Sequence, residues 1–204
     1  MKLALCMMIA GWALISTTPV NAQPADADCT DLGATLNQQI DTWDYATFEQ
    51  NGWRKLASKD CFFEAGASIV SWLNAHHASA SAEQTRTLRY HAARVFAMTG
   101  RNQIALLHVT HARNPDQAED VINDWNGYLD AFSGWLRRDI TLVRTAIARL
   151  ETQQVDETGY KPNLAAAERF LTCFSRPYAS IETDPTCIKQ PDITLGLRAS
   201  PDFE

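Results

Sequence analysis

Residues 81–112 read SAEQTRTLRYHAARVFAMTGRNQIALLHVTHA, and the reading of this stretch decides the fold. It opens with Ser81-Ala82-Glu83-Gln84, the pattern of a capping box, in which a serine hydroxyl and a glutamine side chain satisfy each other's backbone amides at a helix start. Leu88, Ala92, Val95 and Phe96 then recur at helical spacing and face away from Arg86, Tyr90 and Arg94. Gly100-Arg101 interrupts the pattern. A second helix follows from Arg101, with His108 between Ile104, Ala105 and Ala112. The stretch predicts a helical hairpin over about 82–113.

Working outward, the same signals recur. Leu32, Leu36, Ile40 and Trp43 are spaced as one helical face, and so are Ile140, Val143, Ile147 and Leu150. Tyr45, Phe48, Gly52 and Leu56 share a face opposite Thr47, Asn51, Arg54 and Ser58. Val121, Trp125, Tyr128, Phe132 and Trp135 form a wide apolar face opposite Asn126, Asp130, Ser133 and Arg137. Proline is absent from residues 25–114 and again from 116–161, as long helices require. Lys161-Pro162-Asn163 opens a last full helix through Leu164, Ala167, Leu171 and Phe174. No run alternates strictly, so the fold class is all-α. Helix-to-helix turns fall at Asp60, Gly100 and Asp139, spaced by 40 and 39 residues, and both aspartates are expected to cap the helices that follow. This cadence predicts antiparallel hairpins over about 44–77, 82–113 and 121–152, stacked as a short α-solenoid with added terminal helices. The repeat domain spans 23–181. An extended tail, 182–204, follows and is pinned by Cys187.

The middle unit resembles a tetratricopeptide repeat, with Ala93, Phe96, Gly100, Ala105, Val109 and Ala112 at matching positions. The first unit matches through Leu56, Ala65 and Ile69. The third keeps Trp135 but has Arg144 where the family places a small residue. The blocks Gly52-Trp53-Arg54-Lys55-Leu56-Ala57, Trp125-Asn126-Gly127-Tyr128 and Asn163-Leu164, Cys173-Phe174, Pro177-Tyr178 are similar to those of exported bacterial proteins with a repeat-like helical build. That resemblance covers most of residues 29–187. It implies a fold and carries no activity and no catalytic residue.

Composition narrows the function classes. The 204 residues hold 18 Lys+Arg against 24 Asp+Glu, a net charge of −6. An acidic chain lacks the electrostatic footprint of a nucleic-acid binder. Met1-Lys2, the apolar run Leu3–Ile15 and the small polar stretch ending Val20-Asn21-Ala22 have the form of a secretory signal peptide, residues 1–22. No other run has the length of a membrane span. Beyond the leader stand Cys29, Cys61, Cys173 and Cys187, an even set suited to two disulfides in an oxidising compartment. Three connectivities are open. The expectation is the local one, Cys29–Cys61 and Cys173–Cys187, in a periplasmic or extracellular protein.

Catalytic signatures are missing: no G-x-S-x-G, no P-loop, no G-x-G-x-x-G and no H-E-x-x-H. His76-His77 close a helix, His91 borders the core, and His108 and His111 share a face. The carboxylates, among them Glu64, Glu83, Asp124 and Asp130, are read as helix-surface groups. The expectation is therefore no catalytic residue, no metal site and no cofactor. What remains is a polar stripe on the first helices of successive hairpins: Gln50, Arg54, Arg86, Tyr90, Arg94, Asn126 and Asp130. Arg54 and Arg94 hold equivalent repeat positions, and planar guanidinium groups suit bidentate capture of carboxylates. The stripe predicts an exported, non-catalytic protein that binds a protein or peptide partner, with self-association of so short a stack as a further expectation. The competing readings are a small secreted hydrolase using His76, His91 and His108, or metal binding through the same histidines.

Overall fold

In the computed structural model, which describes residues 27–118 and 122–188, Asp60, Gly100 and Arg138 have positive φ angles of 60°, 73° and 58°. Each is the point where the chain doubles back. The amides of these residues donate to Ala57, Ala97 and Trp135, and the next amides, of Cys61, Arg101 and Asp139, donate to Leu56, Phe96 and Gly134. This is one left-handed helix stop used three times, closing the last carbonyls of a helix before a reversal. Glycine adopts it without steric cost only at residue 100; Asp60 and Arg138 do so against their Cβ. Asp60 is therefore spent as the left-handed residue. The helix after it begins behind Cys61 with no side-chain cap, whereas Asp139 caps Leu142 as the sequence predicts.

The described residues form helices and no strand, as the all-α reading requires. In chain order they are α1 (Ala27–Asn37), a 3-10 turn (Ile40–Thr42), α2 (Tyr45–Asn51), α3 (Trp53–Ala57), α4 (Phe62–Ala75), α5 (Ala82–Met98), α6 (Asn102–His111), α7 (Trp125–Leu136), α8 (Ile140–Glu151), α9 (Pro162–Thr172), α10 (Tyr178–Thr183) and a 3-10 turn (Pro185–Cys187). From α3 to α9 each helix packs on the next; α1 packs on α4, α9 returns to α7, and α10 lies against α5. The capping box at Ser81 and Gln84 forms in both directions.

Two further sequence expectations change. The face Tyr45–Phe48–Gly52–Leu56 does not belong to one helix, because the chain breaks at Gly52 into α2 and α3. The break tucks the Gly52 backbone against Phe48: a Cβ there would stand 2.4 Å from the Phe48 ring and 2.5 Å from its carbonyl oxygen. The tail is not extended from residue 182. Thr183 ends α10, and a 3-10 turn carries Pro185 to Cys187; residues 189–204, the leader (1–22) and Val121 lie outside the described residues.

The core runs through all these elements: Phe48, Leu56, Ile69, Trp72, Leu88, Phe96, Val109, Leu129, Phe132, Trp135, Leu150, Phe170 and Tyr178 are buried. Disulfides join Cys29 to Cys61 and Cys173 to Cys187, the local pairing. The first fastens α1 to the start of α4. The second closes a loop around α10.

Candidate functional site

Side chains link the odd-numbered helices into a row. Trp53 of α3 stacks on His91 of α5, with ring centroids 4.5 Å apart. Tyr90 of α5 meets Trp125 and Tyr128 of α7 edge-on at 4.8 and 5.8 Å. Tyr128 and Phe132 in turn meet Phe170 of α9 at 5.9 and 5.2 Å. Aromatic rings spaced this way prefer edge-on or offset geometry, so the row fixes both the spacing and the rotation of the helices.

Two arginines stand on this row in matching surroundings. On α3 the Arg54 guanidinium lies over the Trp53 ring, 4.2 Å from its centroid, and donates from Nε and Nη2 to one oxygen of Glu49 at 2.9 and 2.5 Å. The other Glu49 oxygen accepts from Trp53 Nε1 at 2.9 Å. On α5 the Arg94 guanidinium lies over the Tyr90 ring, and its Nε and Nη2 donate to the two oxygens of Glu182 at 3.3 and 2.7 Å. Tyr178 also donates to Glu182, and Tyr90 shares a hydrogen bond of 3.0 Å with Tyr128. Burial raises the pKa of all three tyrosines, so their hydroxyls stay protonated donors.

His91 sits between the two arginines. Burial first, then the positive charges of Arg54 and Arg94, push its pKa down to about 3. The Arg54 Nη2 lies 3.5 Å from its Nε2, and a guanidinium can only donate, so the imidazole is the acceptor and is neutral. His108 repeats the arrangement between α5 and α6. It is 4% exposed, stacks on Phe96, and has Arg89 Nη1 3.4 Å from its Nδ1. Burial, then Arg89 and His111, lower its pKa to about 4.

The predicted stripe is thus not one free surface. Gln50 and Arg54 are exposed and Arg86 is half-buried. Tyr90 and Arg94 are engaged by α7 and α10. Asn126 is turned into the α6–α7 connection, where its side chain accepts from the Asn114 amide and donates to the Asn114 carbonyl. Asp130 pairs with Arg113 at 2.5 Å and with Arg149 at 3.7 Å. Asp124, read as a surface carboxylate, is 2% exposed and accepts from Gln117, the Gly127 amide and Arg149. A carboxylate is tolerated at such burial only with a set of donors like this one. Glu49 and Glu182 are not singled out in the sequence, and Tyr178 only as part of the Pro177-Tyr178 block. Glu49 is recognisable only by lying five residues before an arginine, and Glu182 lies 88 residues from its partner.

The histidines fall into separate contacts. His76 stacks on Trp72 and bonds the Ile40 carbonyl, His77 bonds the Asn74 carbonyl, and His91 and His108 are held as above. Among the described residues no group of three or more His, Cys, Asp and Glu side chains is arranged to hold a metal, and no helix is long and apolar enough to cross a membrane. An open hollow of about 440 Å³ lies beside the Cys29–Cys61 disulfide, lined by Asp28, Asp31, Leu32, Thr35 and Lys59, and includes no stripe residue. The two disulfides are consistent with an oxidising location, periplasmic or extracellular. Comparison with protein-family models, curated proteins and solved structures finds no match to this chain.

Proposed function

We propose that this protein is exported through its leader and acts, without catalysis, by binding a protein or peptide on the row of odd-numbered helices. A tetratricopeptide-like stack is the arrangement that best accounts for three identical helix stops at residues 60, 100 and 138. One observation carries the binding reading. Arg94 already captures a helix-borne carboxylate in bidentate fashion, with α10 of the same chain as the captured segment. Arg54, on the same row and with its side chain 50% exposed, presents a second guanidinium to solvent.

The reading is tested by cross-linking the full-length protein in its native envelope and recovering what joins it. A partner captured by the wild type and lost with Arg54→Ala, at unchanged helicity, supports it. Capture that is insensitive to Arg54→Ala, or no specific partner in either case, defeats it.

A further inference from the structure

The two disulfides sit in unlike surroundings. Cys173 and Cys187 are both buried, and Cys173 is the C-cap of α9, where the helix dipole opposes a thiolate. Cys61 is buried too, but it stands at the N-cap of the 14-residue α4, where the dipole favours a thiolate. Lys59 adds a positive charge on the same side, since it borders the hollow that Cys61 lines. The partner sulfur differs as well: Cys29 is only half-buried, and it lines the same open hollow of about 440 Å³. One bridge therefore combines a sulfur that can be reached with a sulfur that leaves well, and the rate of thiol–disulfide exchange depends on both.

The same bridge holds α1, and little else does. This helix buries Gly33 and Leu36 and half-buries Leu32, with Gly33 against the Glu64 side chain. Among the described residues no hydrogen bond or ion pair joins α1 to another helix; the Thr35 hydroxyl donates to the Asp31 carbonyl within α1 itself. Asn37, Gln38 and Gln39 behind it are exposed. The chain is anchored again from Ile40, which is buried and whose carbonyl accepts from His76, and at Trp43, whose carbonyl accepts from Trp72 Nε1. We infer that Cys29–Cys61 is a redox clasp: a dithiol reductant opens it while Cys173–Cys187 stays closed, and opening lets α1 swing off α4 about residues 37–39. A thiolate of the dithiol attacks Cys29 Sγ, the bond to Cys61 breaks, and its electron pair leaves on Cys61 Sγ. The second thiolate of the dithiol then attacks the reagent's own sulfur in the mixed disulfide, which closes the reagent's disulfide and releases Cys29 as a thiolate. The dithiol gives up two electrons, and its two protons end on Cys61 and Cys29. Asp28 and Asp31 also border the hollow, so a neutral dithiol is favoured over an anionic thiol. Once released, α1 has eleven residues, too few to hold a helix alone.

The test uses the intact, oxidised protein without denaturant, with dithiothreitol as the reductant, timed quenching with iodoacetamide and peptide mapping by mass. Cys29 and Cys61 should be alkylated about tenfold faster than Cys173 and Cys187. In the singly reduced protein, hydrogen exchange should rise over residues 27–37 and stay unchanged from α5 to α9. Cys29→Ser should give the same exchange pattern with no reductant, and oxidised dithiothreitol should restore protection in the wild type. Equal rates at the two bridges, or faster opening of Cys173–Cys187, overturns the inference. So does selective opening that leaves exchange over 27–37 unchanged. Loss of protection throughout the chain on opening the first bridge overturns it as well, because the bridge would then hold the whole fold and not one helix.

Discussion

Arg94 on α5 and Glu182 on α10 are joined by two hydrogen bonds, at 3.3 and 2.7 Å, across 88 residues of chain. This pair, backed by the Tyr178 hydroxyl, orients a six-residue helix that is too short to be stable alone. Sequence-local forces account for neither partner's position; the aromatic row beneath them does.

Glu182→Gln keeps the shape and removes the charge, so α10 loses its charge-assisted contacts while Tyr178 keeps an acceptor. A loss of about 1–2 kcal/mol is expected in urea unfolding. The matched change Arg94→Met should cost no more when Gln already stands at 182. Full additivity of the two changes would show that the pair is not coupled.

Acid should weaken the fold before the carboxylates titrate. His91 and His108 have folded-state pKa values of about 3 and about 4, against 6.5 when unfolded. Both are neutral in the folded chain, so below pH 6.5 the unfolded chain binds more protons and stability falls as the pH falls, down to about 4. Each histidine contributes a slope of up to about 1.4 kcal/mol per pH unit in that window and none above it. His91→Phe, which keeps a ring on Trp53 and removes a buried Nδ1 that has no hydrogen-bond partner, should flatten the profile. Parallel urea titrations at pH 7.5, 6 and 5 measure it; equal slopes for wild type and variant would contradict the assignment.

Gly52→Ala inserts a methyl group into the Phe48 contact, where ring and carbonyl stand within 2.6 Å of the new atom. An overpacking cost of about 1–3 kcal/mol is expected, visible as a lower Tm. Ala substitution at Gly159, which has nothing within 4 Å but a φ of 77°, carries the left-handed backbone cost without a packing clash and so separates the two effects.

Cys187→Ser opens the 14-residue separation closed by the second disulfide. In the chain-entropy account such a loop is worth about 3 kcal/mol. Mass mapping of the unreduced protein should recover Cys29 with Cys61 and Cys173 with Cys187; a Cys29–Cys187 peptide would contradict the structure.

Local rules made much of this fold legible. The capping box at Ser81 and the cap at Asp139 follow from side-chain chemistry within one turn, and the reversals expected near residues 60, 100 and 139 are present, although Asp60 serves as the left-handed residue and not as a cap. The break at Gly52 escaped because glycine fits a helical face as readily as a gap, and only the nearness of Phe48 decides between them. The helix α10 escaped because its six residues carry too little periodicity, and Tyr178 acquires its burial from Phe132 of α7 and Phe170 of α9. The stripe was legible as residue types but not as a surface. Whether Arg94, Asn126 and Asp130 face solvent depends on Glu182, Asn114 and Arg113, and no helical wheel brings those together.

The sulfur bridge between Cys173 and Cys187 makes the segment carrying α10 a ring rather than a strap. A protease that nicks this ring leaves both new ends attached to the rest of the molecule, so the cut stays invisible by size until a reductant is added. For the same reason two copies cannot trade this segment by simple unthreading, and any mutual exchange of α10 must wait for the bridge to open.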